Sequence, residues 1–327
     1  ITAASTLHAK LSAFTRQPLP FGPSPVEEMA RLRDALGGGP RLLVKRDDAI
    51  TFGFGGNKVR KLEYVLAQAL DAGADTLVTM GGVQSNHARA TAAAAAKLGL
   101  ACVLIANGEP PDRPTGNALL ATLLGAEIVY VATRAERQAA LDGAVVRLHA
   151  EGRRPYAIPL GASTPAGALG FVRAIGEIVG QGVVPDAIVH ASSSGGTQAG
   201  LLAGCALHGL HTRVIGISAD DPAADIGAGV RTILEGMGTL LEMDGAAFAD
   251  ACTIDVDDSF VGAGYGIPTD ASREAQRLAA RTEALFVDHT YTAKGLAGLI
   301  AGVRSRRLDD HATVMFWHTG GQPGLFA

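Results

Sequence analysis

The chain has 327 residues, 47% of them hydrophobic and 18% charged, and a formal net charge of −4. That balance excludes a disordered chain, and without any run of Lys or Arg there is no electrostatic footprint for nucleic acid or an anionic membrane. No stretch of about 18 apolar residues reads as a membrane span, and ITAASTLHAKLSAF at the start lacks the charged-then-apolar order of a leader.

Cys102, Cys205 and Cys252 are odd in number, lie in apolar neighbourhoods, and form neither a CxxC pair nor a metal-spaced set with His. They read as reduced, buried thiols of a cytoplasmic protein with no metal site. The length sets a prior of two lobes.

In chain order, RLLVK (41–45), TLVTM (76–80), CVLIA (102–106), EIVYV (127–131), YAIPL (156–160), AIVHA (187–191), VIGIS (214–218) and TVMFW (313–317) read as strands. Most are followed by an amphipathic segment, which predicts an α/β protein with mainly parallel sheets flanked by helices. The number of strands argues for two sheets. In the helix from residue 58, Val59, Leu62, Leu66 and Leu70 share one face, leaving Arg60, Lys61 and Glu63 for chemistry or solvent. The run ARATAAAAAKLG (88–99) reads as a tightly packed helix.

Three glycine-rich turns sit at strand-to-helix junctions, where open α/β sheets bind ligands. SSSGGTQAGLLAG (192–204) can gather several amide N–H groups at a helix start, either as an anion cup or as a plain steric turn. GGVQSNHARATA (81–92) places Gln84, Ser85, Asn86 and His87 where a helix begins. Capping needs one such side chain, and four could hold a carboxylate. GGNKVRK (55–61) puts Lys58 in a first helical turn, where the helix dipole disfavours an ammonium and would lower its pKa. It is either a solvated surface lysine or a nucleophilic amine. Only Lys10, Lys45, Lys58, Lys61, Lys97 and Lys294 are available to form a Schiff base.

These turns, together with LVKRDD (43–48), RPYAIPLGAS (154–163), GYGIPTD (264–270), YTAKGLAGLI (291–300) and HTGGQPGLFA (318–327), resemble the D-cysteine desulfhydrase and 1-aminocyclopropane-1-carboxylate deaminase family. The resemblance covers nearly the whole chain. It implies the tryptophan synthase beta-like fold type II of pyridoxal 5'-phosphate enzymes. Residues 1–54 with 166–327 would form the larger cofactor-binding lobe, and 55–165 the smaller one. The active site would lie between them, and the enzyme would be a homodimer.

Carried over by resemblance, Lys58 holds pyridoxal phosphate covalently and later moves the proton, while Lys61 helps neutralise the phosphate. The amides of Ser194, Gly195, Gly196 and Thr197, with the Thr197 hydroxyl, form the phosphate cup. Asn86 faces the cofactor's ring oxygen. Ser85, with Gln84 and His87, receives the carboxylate of a small amino-acid substrate, over which Tyr265 and Tyr291 close. Thr292 and Thr319 face the ring nitrogen. The deaminase branch carries Glu and Leu there, and a Thr hydroxyl cannot stabilise a protonated pyridine as a carboxylate does. The implied reaction is therefore β-elimination, D-cysteine giving pyruvate, ammonia and hydrogen sulfide.

Departures from the family pattern include His289, Thr164, Phe52 and Phe54, which the resemblance sets around the pocket. His289 is either a surface residue or a partner for an acidic substrate group. The latter would favour L-cysteate sulfo-lyase as the alternative, with cyclopropane opening after it. A nicotinamide dehydrogenase would need a G-x-G-x-x-G turn with a downstream acidic strand end, which is not found in a convincing context. A non-catalytic binding protein would be expected to lose Lys58 or the tyrosines.

Overall fold

The computed structural model describes residues 11–310 and 312–327. One sheet contains six strands: β1 (Val26–Glu28), β2 (Arg41–Arg46), β7 (Ala187–Ser192), β8 (Arg213–Ser218), β9 (Asp255–Asp257) and β10 (Thr313–His318). Their order is β1-β2-β10-β7-β8-β9, parallel throughout except for β1 against β2. The other sheet is all parallel, in the order β5-β4-β3-β6, from β3 (Thr76–Gly82), β4 (Ala101–Asn107), β5 (Glu127–Val131) and β6 (Pro155–Ala157).

All eight expected strands are present. YAIPL is shorter than expected, because Pro159 has no N–H to donate and the chain turns at Leu160–Ala162. β1 and β9 went unpredicted, since three residues give no readable period.

The helices among the described residues are α1 (Ala30–Ala35), α2 (Lys58–Asp71), α3 (Asn86–Leu98), α4 (Gly116–Leu123), α5 (Arg137–Ala150), α6 (Pro165–Gly180), α7 (Gly196–Leu207), α8 (Ala223–Leu240), α9 (Gly245–Asp250), α10 (Asp270–Glu283) and α11 (Thr292–Arg304). Strand alternation divides the six-stranded core in two. Leu43, Ile188, Met315 and Trp317 pack with α6, α7 and α8, whereas Leu42, Val44, Val314 and Phe316 pack with α10 and α11. In the four-stranded sheet, Leu77, Cys102 and Leu104 meet α2 and α3, and Val78, Val103 and Ile105 meet α5. Both sheets are thus covered on both faces.

Helix α2 corrects one expectation. It packs against α6 as well as α3, and Arg60, Lys61 and Glu63 are as buried as its apolar residues. The charges of Arg60 and Glu63 are met internally. Arg60 bonds Asp47 at 2.7 Å and Glu177 at 2.9 Å, and Glu63 takes Arg16 at 2.8 Å. Trp317 Nε1 also donates to Asp47, at 2.8 Å. The small side chains of α3, with Ala90, Ala92, Ala94 and Ala95 buried, let it sit close to its neighbours.

Candidate active site

At the carboxyl ends of β3, β7 and β10 the chain leaves the sheets and turns into the loops that face one cleft of ≈ 950 Å³, including its open mouth. Lys58 enters it from the start of α2. Its Nζ donates to Asn57 Oδ1 at 3.2 Å, and Asn57 Nδ2 in turn donates to Thr197 Oγ1 at 2.9 Å. The amine is pushed down to about 8, first by burial and then by the Arg89 guanidinium, against the pull of Asp288. The direction matches the sequence expectation, but desolvation leads where the helix dipole was invoked.

Arg89, on α3, was not anticipated. It is buried and donates to the carbonyls of Gly53 and Gly55 and to Asn117 Oδ1, fixing the turn that presents Lys58. Gly56 (φ +94°) completes that turn where a Cβ would stand 3.0 Å from the Thr319 carbonyl. Asn57 N–H donates to the same carbonyl at 3.0 Å. Phe52 and Phe54 do not line the cleft: Phe52 packs on the α2–α3 core and Phe54 is exposed.

Lys61 is buried beside Lys58 and donates to Gly161 O and Ser163 Oγ, each at 3.1 Å. Burial, then the neighbouring Lys58, holds its pKa well below the ordinary lysine value. Ser163 Oγ meets Ser194 Oγ at 2.8 Å, so the lysine is wired to the glycine turn after β7. There Ser194, Gly195 (φ +76°) and Thr197 line the cleft. Gly196 does not. Its N–H is spent on Ser194 O at 3.0 Å, and a Cβ on it would lie 2.7 Å from Ser163 Oγ.

The turn after β3 separates into distinct roles. Ser85 caps α3 by accepting from Ala88 N at 3.2 Å, and it also lines the cleft. Asn86 Oδ1 accepts from Asn117 Nδ2 at 2.9 Å, which leaves its own amide N–H₂ to donate into the cleft. Gln84 points away, bonding Asn117 N at 2.8 Å and Thr115 O at 3.2 Å. His87 lines the cleft but is bound at Nε2 to Thr79 Oγ1 (2.8 Å), whose own proton goes to Ile158 O (2.7 Å). Nε2 is therefore the protonated nitrogen, and Nδ1 keeps only a lone pair without a partner. Burial and the two lysines hold the ring neutral, so His87 cannot donate to a carboxylate as expected.

Tyr265 and Tyr291 meet hydroxyl to hydroxyl at 2.5 Å, their rings edge to face. Burial raises both pKa values, Tyr291 the further, so the phenols stay protonated. Two devices hold them. The Asp288 carboxylate accepts from Thr290, Tyr291 and Thr292 N–H, and buried Lys294 donates to Ala219, Val261 and Gly264 carbonyls, fixing the loop before Tyr265.

Thr319 lines the cleft, whereas Thr292 does not. The Thr292 hydroxyl gives its proton to Asp288 Oδ1 at 2.6 Å and takes one from Asp288 N, which removes it from any ring-nitrogen contact. His289 is partly buried outside the cleft, and Lys10 lies outside the described residues. Arg134 and Arg137, unmarked in the sequence, stand at its mouth near the tyrosines.

The family model of pyridoxal-phosphate dependent enzymes matches residues 18–320. The chain belongs to that family. It is 40% identical to a D-cysteine desulfhydrase of Salmonella typhi and 39% identical to one of Klebsiella pneumoniae subsp. pneumoniae, each match covering 97% of both chains. Among solved structures, a crystal structure described as an ACC deaminase homologue superposes with a TM-score of 0.90 at 34% identity, covering 98% of this chain and 96% of that one. A pyridoxal 5'-phosphate-dependent aspartate racemase, at 16% identity and a TM-score of 0.70, shares the fold.

The enzyme's cofactor is pyridoxal phosphate, and the cleft fits it on chemical grounds. It presents an amine depressed to about 8 and a second buried lysine that no carboxylate neutralises among the described residues. It also has a glycine turn at the start of α7, where N–H groups and the helix dipole favour an anion. Among the described residues no helix is long and apolar enough to cross a membrane.

Proposed function

We propose that the enzyme is a D-cysteine desulfhydrase, converting D-cysteine and water to pyruvate, ammonia and hydrogen sulfide. The observation that carries this reading is the end-to-end match, at about 40% identity, to relatives of that name.

When bound, the cofactor supplies an electron sink for the pair left as the α-proton departs. In this reading Lys58 would anchor it, Lys61 and the Ser194–Thr197 turn would hold its phosphate, and Asn86 and Thr319 would hold its ring. Ser85 Oγ–H and the N-terminus of α3 receive the substrate carboxylate. Lys58 Nζ, its pKa pushed down to about 8 by burial, would take the α-proton. The Cβ–S bond breaks with its electron pair passing to sulfur, and Tyr291 Oη–H, backed by Tyr265, supplies the proton there. The released aminoacrylate hydrolyses to pyruvate and ammonia.

The lobes of this reading are residues 1–54 with 166–327 and residues 55–165, in a homodimer of the cytoplasm. Sedimentation measures the homodimer directly, and a monomer at micromolar concentration removes it. The test of function is a panel of D- and L-cysteine, 3-chloroalanine, serine and the cyclopropane amino acid. Equal yields of pyruvate, ammonia and sulfide from D-cysteine are expected. Consumption of another member with D-cysteine inert overturns the assignment.

A further inference from the structure

Tyr265 reaches the cleft from a loop between β9 and α10 that does not hold it unaided. The residue is 37% exposed, and Gly264 (φ +138°) and Gly266 (φ +73°) flank it. Neither glycine has a non-adjacent atom within 4 Å of where a Cβ would stand, so the backbone on both sides is free to swing. Its hydroxyl nevertheless meets that of Tyr291 at 2.5 Å, an alignment that needs a fixed ring. Arg134 supplies the fixing. Its guanidinium carbon lies 5.3 Å from the Tyr265 ring centroid, and its Nη2 pairs with Asp220 Oδ2 at 2.6 Å. Arg134 follows β5 in the four-stranded sheet, whereas Asp220 follows β8 in the six-stranded one, and both turns are braced. Glu136 accepts from Ala132 N–H at 3.3 Å and from the Thr133 hydroxyl at 2.7 Å, and Arg137 Nε donates to Arg134 O at 3.2 Å. Opposite, buried Ser218 Oγ accepts from Asp220 N–H at 3.2 Å and donates to Asp221 O at 2.6 Å. The Lys294 ammonium then ties Ala219, beside Asp220, to Gly264, beside Tyr265. A carboxylate and an aromatic face thus share one support, and a guanidinium is the group that satisfies both.

We infer that Arg134 is a positioning residue: clamped by Asp220, it holds the Tyr265 ring so that Tyr291 stays aligned to protonate the departing sulfur. The inference rests on the reading that the tyrosine pair is the acid of the elimination. It predicts a dependence on the leaving group. With D-cysteine the Cβ–S electron pair passes to sulfur, which takes the Tyr291 proton. With 3-chloro-D-alanine the Cβ–Cl pair departs on chloride, which is too weak a base to take one.

The test compares the two substrates in the cofactor-loaded enzyme. Arg134→Gln should lower kcat for D-cysteine roughly tenfold and that for 3-chloro-D-alanine by no more than about twofold. Arg134→Lys, which keeps a cation for the ring, should recover part of the loss. Asp220→Asn should show the same selectivity, and adding it to Arg134→Gln should cost nothing further, because the clamp is already gone. Equal losses on both substrates, or no loss on either, overturn the inference. Tyr291→Phe tests the reading beneath it. Selective loss there with none in Arg134→Gln overturns the role of Arg134 alone, whereas equal losses there overturn the acid role and the inference with it. Should Arg134→Gln not fold, or D-cysteine prove inert, amide hydrogen exchange in Asp220→Asn decides. Exchange across residues 262–266 should quicken by roughly threefold or more, and unchanged exchange overturns the inference.

Discussion

The two sides of the cleft differ in kind. Residues 57–161 contribute every charged side chain that lines it, whereas residues 191–320 contribute glycines, hydroxyls and two phenols and no charge. The first side therefore sets proton affinities and draws anions. The second shapes the cup and offers neutral donors, held in place by charges kept outside the cleft, Asp288 and Lys294. Charge on one wall and preorganised neutral donors on the other is a division that substitutions can test wall by wall.

Lys58→Ala should give the largest effect, a loss of turnover of roughly 10³-fold or more, because the cofactor anchor and the base are lost together. The visible band of the lysine-bound cofactor should vanish with it. Retention of both would mean that another lysine carries the cofactor. On the opposite wall, Tyr291→Phe should lower kcat by roughly 10²-fold, the usual scale for losing a positioned acid, with cofactor affinity little changed. An unchanged kcat would take Tyr291 out of proton transfer.

Lys294→Met should act through Tyr265. Three carbonyls, that of Ala219 buried and those of Val261 and Gly264 partly so, lose their donor, at a cost of about 1–3 kcal/mol, and the loop at Gly264 loosens. The expected signature is a roughly tenfold fall in kcat/KM, absent when Tyr265 is already Phe. Additive losses in the double variant would confine Lys294 to stability. Ser85→Ala should cost about 1 kcal/mol of stability as a lost N-cap and raise KM. A raised KM without destabilisation would divorce the two roles.

The strands and the lysine turn were legible because their signals are local: β-branched runs, glycines at junctions, and a cation where a helix starts. What escaped the sequence depended on partners distant in the chain. Thr292 looked equivalent to Thr319 until Asp288 claimed its hydroxyl. Gln84 and His87 adjoin Ser85, yet Asn117 and Thr79 turn them to other work. Arg134 and Arg137 carry no motif, although the position just past EIVYV, a strand's carboxyl end, was a readable pointer. Arg89 and Lys294 lie in the first turns of helices whose only other lysine or arginine, Lys97 or Arg304, stands in the last turn, and a lone cation among small and apolar residues is itself a pointer to a buried structural role.

The finest test of the charged wall is the pH dependence of folding without cofactor. The Lys58 amine has a folded pKa near 8, below the ordinary lysine value of 10.5. Between those values the unfolded chain binds more protons than the folded one, so this residue makes stability rise with pH from about 8 to 10.5. Below that window both states are protonated, and the cost of the buried ammonium is felt in full. Lys61, depressed in the same direction, adds to the rise. Denaturant midpoints of the cofactor-free protein should therefore climb across the window. In Lys58→Met they should start higher and climb less. Parallel pH curves for the two proteins would show that the neighbours of Lys58 do not depress its pKa.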